Sequence, residues 1–198
     1  MVENLASLLF IALLLMGSPG PATLSLAAMG AAFGMAASLR FLSGIVLGTT
    51  TVLVIVASGI SGLLLALPGA VPVLAGLGTL YILYLAARIA MATPNTPNET
   101  PTAAPSFAGG LLLAITNPKA YVAISAVYSS TVVVDGSIGA DAAVKLTTLF
   151  ATMILVNTGW LWLGSAFGTL LAAPCHRRAI NIGFAILLVG SVAIAFLL

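Results

Sequence analysis

The sequence predicts an all-α integral membrane protein with six transmembrane helices. They form two inverted-topology three-helix repeats, with the first and fourth helices broken. Three observations carry this reading: scarce charge, long apolar runs and two matched prolines. Of 198 residues, 61% are hydrophobic and 5% charged. Soluble domains average about 45–50% and about 25%. Six Lys/Arg and four Asp/Glu cannot cover the surface of a soluble fold of this size. Soluble enzymes, nucleic-acid binders and disordered chains are therefore excluded, and the lipid bilayer is the expected environment. A membrane barrel would alternate apolar and polar residues. Residues 45–67 and 179–198 are instead unbroken apolar runs, as spanning helices require.

The spans follow from where charged and turn-forming residues cluster. The first is expected at 4–36 and the second at 39–67. Pro68, Gly69 and Pro72 then make a tight connection. The third span is expected at 73–91. Residues 92–106 hold four prolines, two asparagines and Glu99, and read as a polar cytoplasmic linker. The remaining spans are expected at 107–134, 143–171 and 179–198. Residues 1–91 and 107–198 are thus the two repeats. The start of the chain lacks the positive segment of a signal peptide and carries Glu3, so it is read as part of the first span.

Orientation follows from the basic residues. Arg40, Arg88, Arg177 and Arg178 fall on one face, which the positive-inside rule makes cytoplasmic. Glu3, Asp135, Asp141 and Lys145 fall on the other. Both termini are then expected to be external, and no Asp or Glu is expected within a span.

The first and fourth spans are too long for a bilayer. At about 1.5 Å per residue they would measure about 50 Å and about 42 Å, against a core of about 30 Å. Proline interrupts both, at Ser18-Pro19-Gly20-Pro21 and at Asn117-Pro118-Lys119. Pro118 lies 99 residues after Pro19, half the 198-residue length. Each repeat has an odd number of spans, so the second enters from the opposite side. Paired interruptions of this kind point to a transporter binding site near mid-membrane. The plainer alternative is two kinked helices.

The breaks have definite chemistry. Asparagine is a good N-cap and proline suits the first helical position. Asn117-Pro118 therefore reads as a helix restart, and Ser18-Pro19 has the same form. Restarted ends would offer unpaired N–H groups and positive dipole ends to an anion such as a carboxylate. Gly20 would let a ligand approach the backbone. Lys119 is the one charged residue deep in a span, which makes it a functional candidate. Asn157 lies near the middle of the fifth span. Tyr81 and Tyr84 share a face of the third span, where they would contact the pathway or anchor the interface. Thr49, Thr50 and Thr51 are expected to bond their own helix. Trp160 and Trp162 are expected to pack or anchor.

Other chemistries find no support. Cys175 and His176 are the only cysteine and histidine, and Arg177 and Arg178 follow them, so no metal site is expected. No phosphate-binding loop or catalytic triad is present. The chain is therefore expected to be no enzyme and to need no cofactor. The pairs Gly30/Gly34, Gly44/Gly48 and Gly164/Gly168 are no more than composition yields by chance. They leave a homo-oligomer open.

Several of these stretches resemble signatures of the LysE-type (LysE/RhtB) amino-acid exporters. Ser18-Pro19-Gly20-Pro21-Ala22-Thr23-Leu24 resembles their Pro-Gly-Pro signature, and Asn117-Pro118-Lys119-Ala120 their second. Tyr81-Ile82-Leu83-Tyr84-Leu85 is similar to their Tyr-Leu-x-Tyr-Leu stretch. The region from Trp160-Leu161-Trp162 through Arg177-Arg178 to Asn181 resembles their last two helices. Many relatives carry a Leu-Pro-Gln-Phe-like stretch where this chain has Ala126-Val127-Tyr128-Ser129-Ser130. Many also have Gly before the arginine that follows Ala86-Ala87 here. The resemblance implies an amino-acid exporter (translocator) of the bacterial inner membrane, an antiporter driven by the proton gradient, with both breaks taking part in transport. The lack of intramembrane carboxylates favours a small neutral amino acid over a cationic one. A metal-cation exporter and a non-transporting membrane scaffold or assembly protein are the competing readings.

Overall fold

The computed structural model describes residues 1–59, 69–92, 106–170 and 174–197. Within them the chain forms eight helices and no strand. These are α1 (Val2–Gly17), α2 (Pro21–Phe33), α3 (Met35–Ala57), α4 (Ala70–Ala90), α5 (Phe107–Ile115), α6 (Pro118–Ser130), α7 (Ile138–Leu170) and α8 (Pro174–Leu197). Three helices are long and apolar enough to cross a membrane, and five spans result if each bent pair is one. The expected end of the second span at 60–67, Pro68 and residues 93–105 of the linker lie outside the described residues.

Both expected breaks are real bends. The axes of α1 and α2 differ by 64°, and those of α5 and α6 by 61°. Proline pushes the residue before it out of the helical region. Accordingly Ser18 (φ −63°, ψ 147°), Gly20 (φ −171°, ψ −179°) and Asn117 (φ −80°, ψ 105°) are all extended. The fourth span restarts where expected, with Asn117 as N-cap and Pro118 in the first turn. The first does not. Ser18 ends α1, and its hydroxyl bonds back to Leu15 O at 2.8 Å. Gly20 is the N-cap of α2, and Pro21 opens the helix.

Other boundaries also move. The turn between the first two spans is the single residue Gly34, not residues 37–38; its φ of +80° favours glycine. Ser38 Oγ ties the turn down by bonding Gly34 O at 2.8 Å. Pro72 lies in the first turn of α4, where a missing N–H costs nothing. The helix of the fifth expected span, α7, begins at Ile138 rather than 143, so Asp141 stands inside a span helix, contrary to the sequence reading. It sits in the first turn, its Oδ1 accepting the Val133 and Val134 N–H groups at 2.6 and 3.0 Å. Its Oδ2 pairs with Lys145 at 2.8 Å. One carboxylate thus fixes the turn from α6 to α7.

The helices are interleaved. Both α1 and α2 pack on α7, while α5 and α6 pack on α3. Each broken helix therefore lies against a helix of the other half of the chain. Helices α4 and α8 pack on each other. Asn181 Nδ2 reaches Ala92 O at 3.3 Å, and Val192 meets Pro72 across a cavity, so the pair is antiparallel.

Lipid offers helices no hydrophobic reason to associate, so close backbone packing carries much of the work. Gly30, Gly164 and Gly168 place α2 and α7 in direct backbone contact, and Gly44, Gly48 and Gly110 do the same for α3 and α5. These glycines pair helices within the chain. Two apolar cores flank the breaks. One, at the end that holds Gly34 and Ala92, includes Phe41, Ile89, Leu113 and Leu161. The other, at the end that holds the amino terminus, includes Leu8, Val56, Val127 and Leu149. Large apolar residues such as Phe10, Leu80, Leu155 and Ile186 face outward, as a bilayer favours.

Candidate functional site

The two breaks meet. Lys119, in the first turn of α6, reaches across to the end of α1. Its Nζ donates to Ser18 O and, at 3.3 Å, to Pro19 O. Trp160 of α7 donates from Nε1 to Gly17 O at 3.1 Å. The last carbonyls of a helix have no partner within it and carry the negative end of its dipole. Here the indole N–H satisfies the last of them, Gly17 O, and the ammonium satisfies the two carbonyls that follow the helix, Ser18 O and Pro19 O. Gly20 makes room for the lysine: a Cβ there would stand 2.6 Å from Lys119 Cδ.

The break residues also satisfy one another. Thr23 Oγ1 accepts the Gly20 N–H at 2.9 Å, half of a capping box. Buried Asn117 accepts the Lys119 N–H at its Oδ1 at 3.2 Å, and the Ala120 N–H reaches Asn117 O at 3.0 Å. The restarted helices were expected to offer unpaired N–H groups. The donors of Gly20, Lys119 and Ala120 are instead consumed locally. What the site presents is the lysine ammonium held on helix-end carbonyls. Asn117→Ala should lower stability by about 1 kcal/mol, the typical worth of an N-cap. In detergent the thermal midpoint should fall by about 2–4 °C, and Asn117→Ser should restore most of it.

Three cavities adjoin the breaks. A small one of about 50 Å³ lies among Gly20, Thr23, Thr49, Lys119, Met153 and Asn157. A second, of about 780 Å³, runs from Pro19, Pro118 and Lys119 to Ile186 and Ser191 of α8. A third, of about 320 Å³, lies between Thr116, Pro118 and Thr79 of α4. Gly20 and Lys119 belong to the first two, and Asn117 to all three. The larger two extend toward the amino-terminal end, along the start of α4 and the later half of α8. Among the described residues Lys119 is the one titratable residue lining any of the three.

The structure thus gathers Ser18, Pro19, Gly20, Pro21, Asn117, Pro118, Lys119 and Asn157 around these neighbouring cavities. Tyr81 and Tyr84 are not there. Their rings lie 5.9 Å apart, Tyr81 against Gly109 of α5, while Tyr84 Oη accepts from Arg88 at 2.8 Å. Of the three threonines, Thr50 and Thr51 bond their own helix, and Thr49 lines the small cavity. Two contributors escaped the sequence reading. Thr23 stands three residues after Gly20, the spacing of a capping box. Trp160 stands three after Asn157 on the same helix face, which ties it to the site. Among the described residues no group of three or more His, Cys, Asp or Glu is placed to hold a metal ion.

No curated protein and no solved structure matches the chain. The family model described as "LysE type translocator" matches residues 12–198, a span that includes both breaks and every residue of the site. The chain therefore belongs to the LysE type translocator family and is a multi-pass membrane transporter.

Proposed function

We propose that the protein is a secondary exporter of a small neutral amino acid across the bacterial cytoplasmic membrane, exchanging it against protons. The observation that carries this reading is the meeting of the two broken helices and Lys119 beside the cavities. A substrate carboxylate would pair with the Lys119 ammonium, the sole full charge that the described residues bring to that space. The apolar remainder of the lining suits a substrate of zero net charge. Near-equal bends at residues 99 apart support two inverted repeats of three spans each. The distribution of arginines makes the linker side cytoplasmic and both termini external. On that orientation the larger cavities lie toward the outside and the Phe41–Leu161 core closes the inside. Alternating access would then open the inner side by moving α4 and α8 against the interleaved helices, transferring substrate outward.

Reconstituted protein tests this directly. Liposomes loaded with single amino acids should release one or a few small neutral ones when an opposing proton gradient is imposed. Cells loaded with the same residues as dipeptides should lose them faster on overexpression. Equal release of every amino acid from protein-containing and empty liposomes would end the proposal.

A further inference from the structure

We infer that Ser18 O and Pro19 O form a primary-ammonium site. Lys119 occupies it in the structure, and the α-ammonium of the substrate takes it over when Lys119 turns to the substrate carboxylate. A zwitterion brings two charges into the membrane, and each needs a partner. Lys119 answers the carboxylate. Among the described residues no Asp or Glu lines the cavities to answer the ammonium. The break after α1 does: the Ser18 and Pro19 carbonyls, freed from the helical ladder, converge on one point. The occupant is itself evidence of what fits. Lys119 Nζ, an alkyl-ammonium head, donates to both oxygens. Discontinuous helices coordinate cations by freed carbonyls in this way.

The exchange is sterically simple. The Lys119 backbone is held by Asn117 Oδ1, so only the stem has to turn. That stem lies over Gly20, where no side chain obstructs it. Lys119 lines both the small cavity and the 780 Å³ cavity, so a turned ammonium stays in the substrate space. Without substrate, the lysine keeps Pro19 O, and Ser18 O with its one long contact from Thr23 Oγ1, from facing a largely apolar cavity underpaired. With substrate, the number of ammonium–carbonyl pairs is conserved. The site selects for N–H donors, so a quaternary ammonium of similar charge does not satisfy it.

The inference rests on the amino-acid reading only for the identity of the natural ligand, and its test needs no transport. Lys119→Ala empties the ammonium site. The purified variant should melt below wild type, and ethylammonium should raise its midpoint by about 2–4 °C. Tetramethylammonium should not, and wild type should respond to neither. Lys119→Ser, whose hydroxyl can still donate to one carbonyl, should show the same selective response if Lys119→Ala fails to fold. No response in the foldable variant, or an equal response to both cations or in wild type, overturns the inference. Selective stabilisation without efflux of any amino acid would retain the ammonium site and overturn the export proposal. Efflux without selective stabilisation would do the reverse.

Discussion

Lys119→Met should lower substrate efflux by about 30–150-fold, the equivalent of losing a charge-assisted contact of about 2–3 kcal/mol. Methionine keeps much of the stem that lies over Gly20 and removes the ammonium. The substrate carboxylate then enters a largely apolar cavity with no charge to meet it. The same change leaves Pro19 O without the ammonium and Ser18 O with only the long contact from Thr23 Oγ1 at 3.4 Å, so the thermal midpoint should also fall. The two readouts separate the roles. A lower midpoint with unchanged efflux per folded molecule would reduce Lys119 to a helix cap. Arginine is no conservative replacement here. Its planar fork is larger than the lysine head and cannot sit over Gly20 beside a cavity of about 50 Å³ in the same way.

Gly164→Val should have the largest effect on stability, about 3 kcal/mol or more. Overpacking usually costs about 1–3 kcal/mol, but that figure assumes side chains can yield. Here the first added atom, Cβ, would overlap the Ala27 backbone carbonyl. Rotation of a side chain cannot relieve such an overlap, so α2 and α7 must separate. That separation would also part Gly30 from Leu161 and Gly168 from Ala31. Gly159 on the same helix is the control, since a Cβ there meets nothing within 4 Å. Gly159→Ala should be neutral or stabilising by up to about 1 kcal/mol. Equal thermal midpoints for the Gly164 variant and wild type would contradict the packing account.

The difference between the two breaks shows what was legible in the sequence. Asn117-Pro118 is a complete local instruction: a capping side chain followed by the residue that suits the first turn. Its restart was placed correctly. The first break contains two candidate pairs, Ser18-Pro19 and Gly20-Pro21. Capping preference favours serine, yet Thr23 decides for Gly20 by accepting its N–H from the next turn. Gly34 escaped because a one-residue turn leaves no polar stretch behind it. For Tyr81 and Tyr84, helical spacing established a common face but not which neighbour that face meets. The glycine pairs carry no partner assignment for the same reason, since spacing alone cannot distinguish a partner in the same chain from one in another. Lys119 was singled out by charge scarcity, but its partners are carbonyls, which sequence does not distinguish.

The interleaving of the broken helices also constrains how the protein is made. Ten of the thirteen residues of α2 are buried, and its main packing partner is α7, more than a hundred residues later in the chain. When ribosomal synthesis has delivered only α1 to α4, α2 has no glycine face to rest against. Lys119, which secures the end of α1, has not yet been inserted. The early intermediate must therefore wait in lipid with the end of α1 uncapped. The native arrangement can close only after α7 arrives and the carboxyl-terminal spans thread between those already inserted.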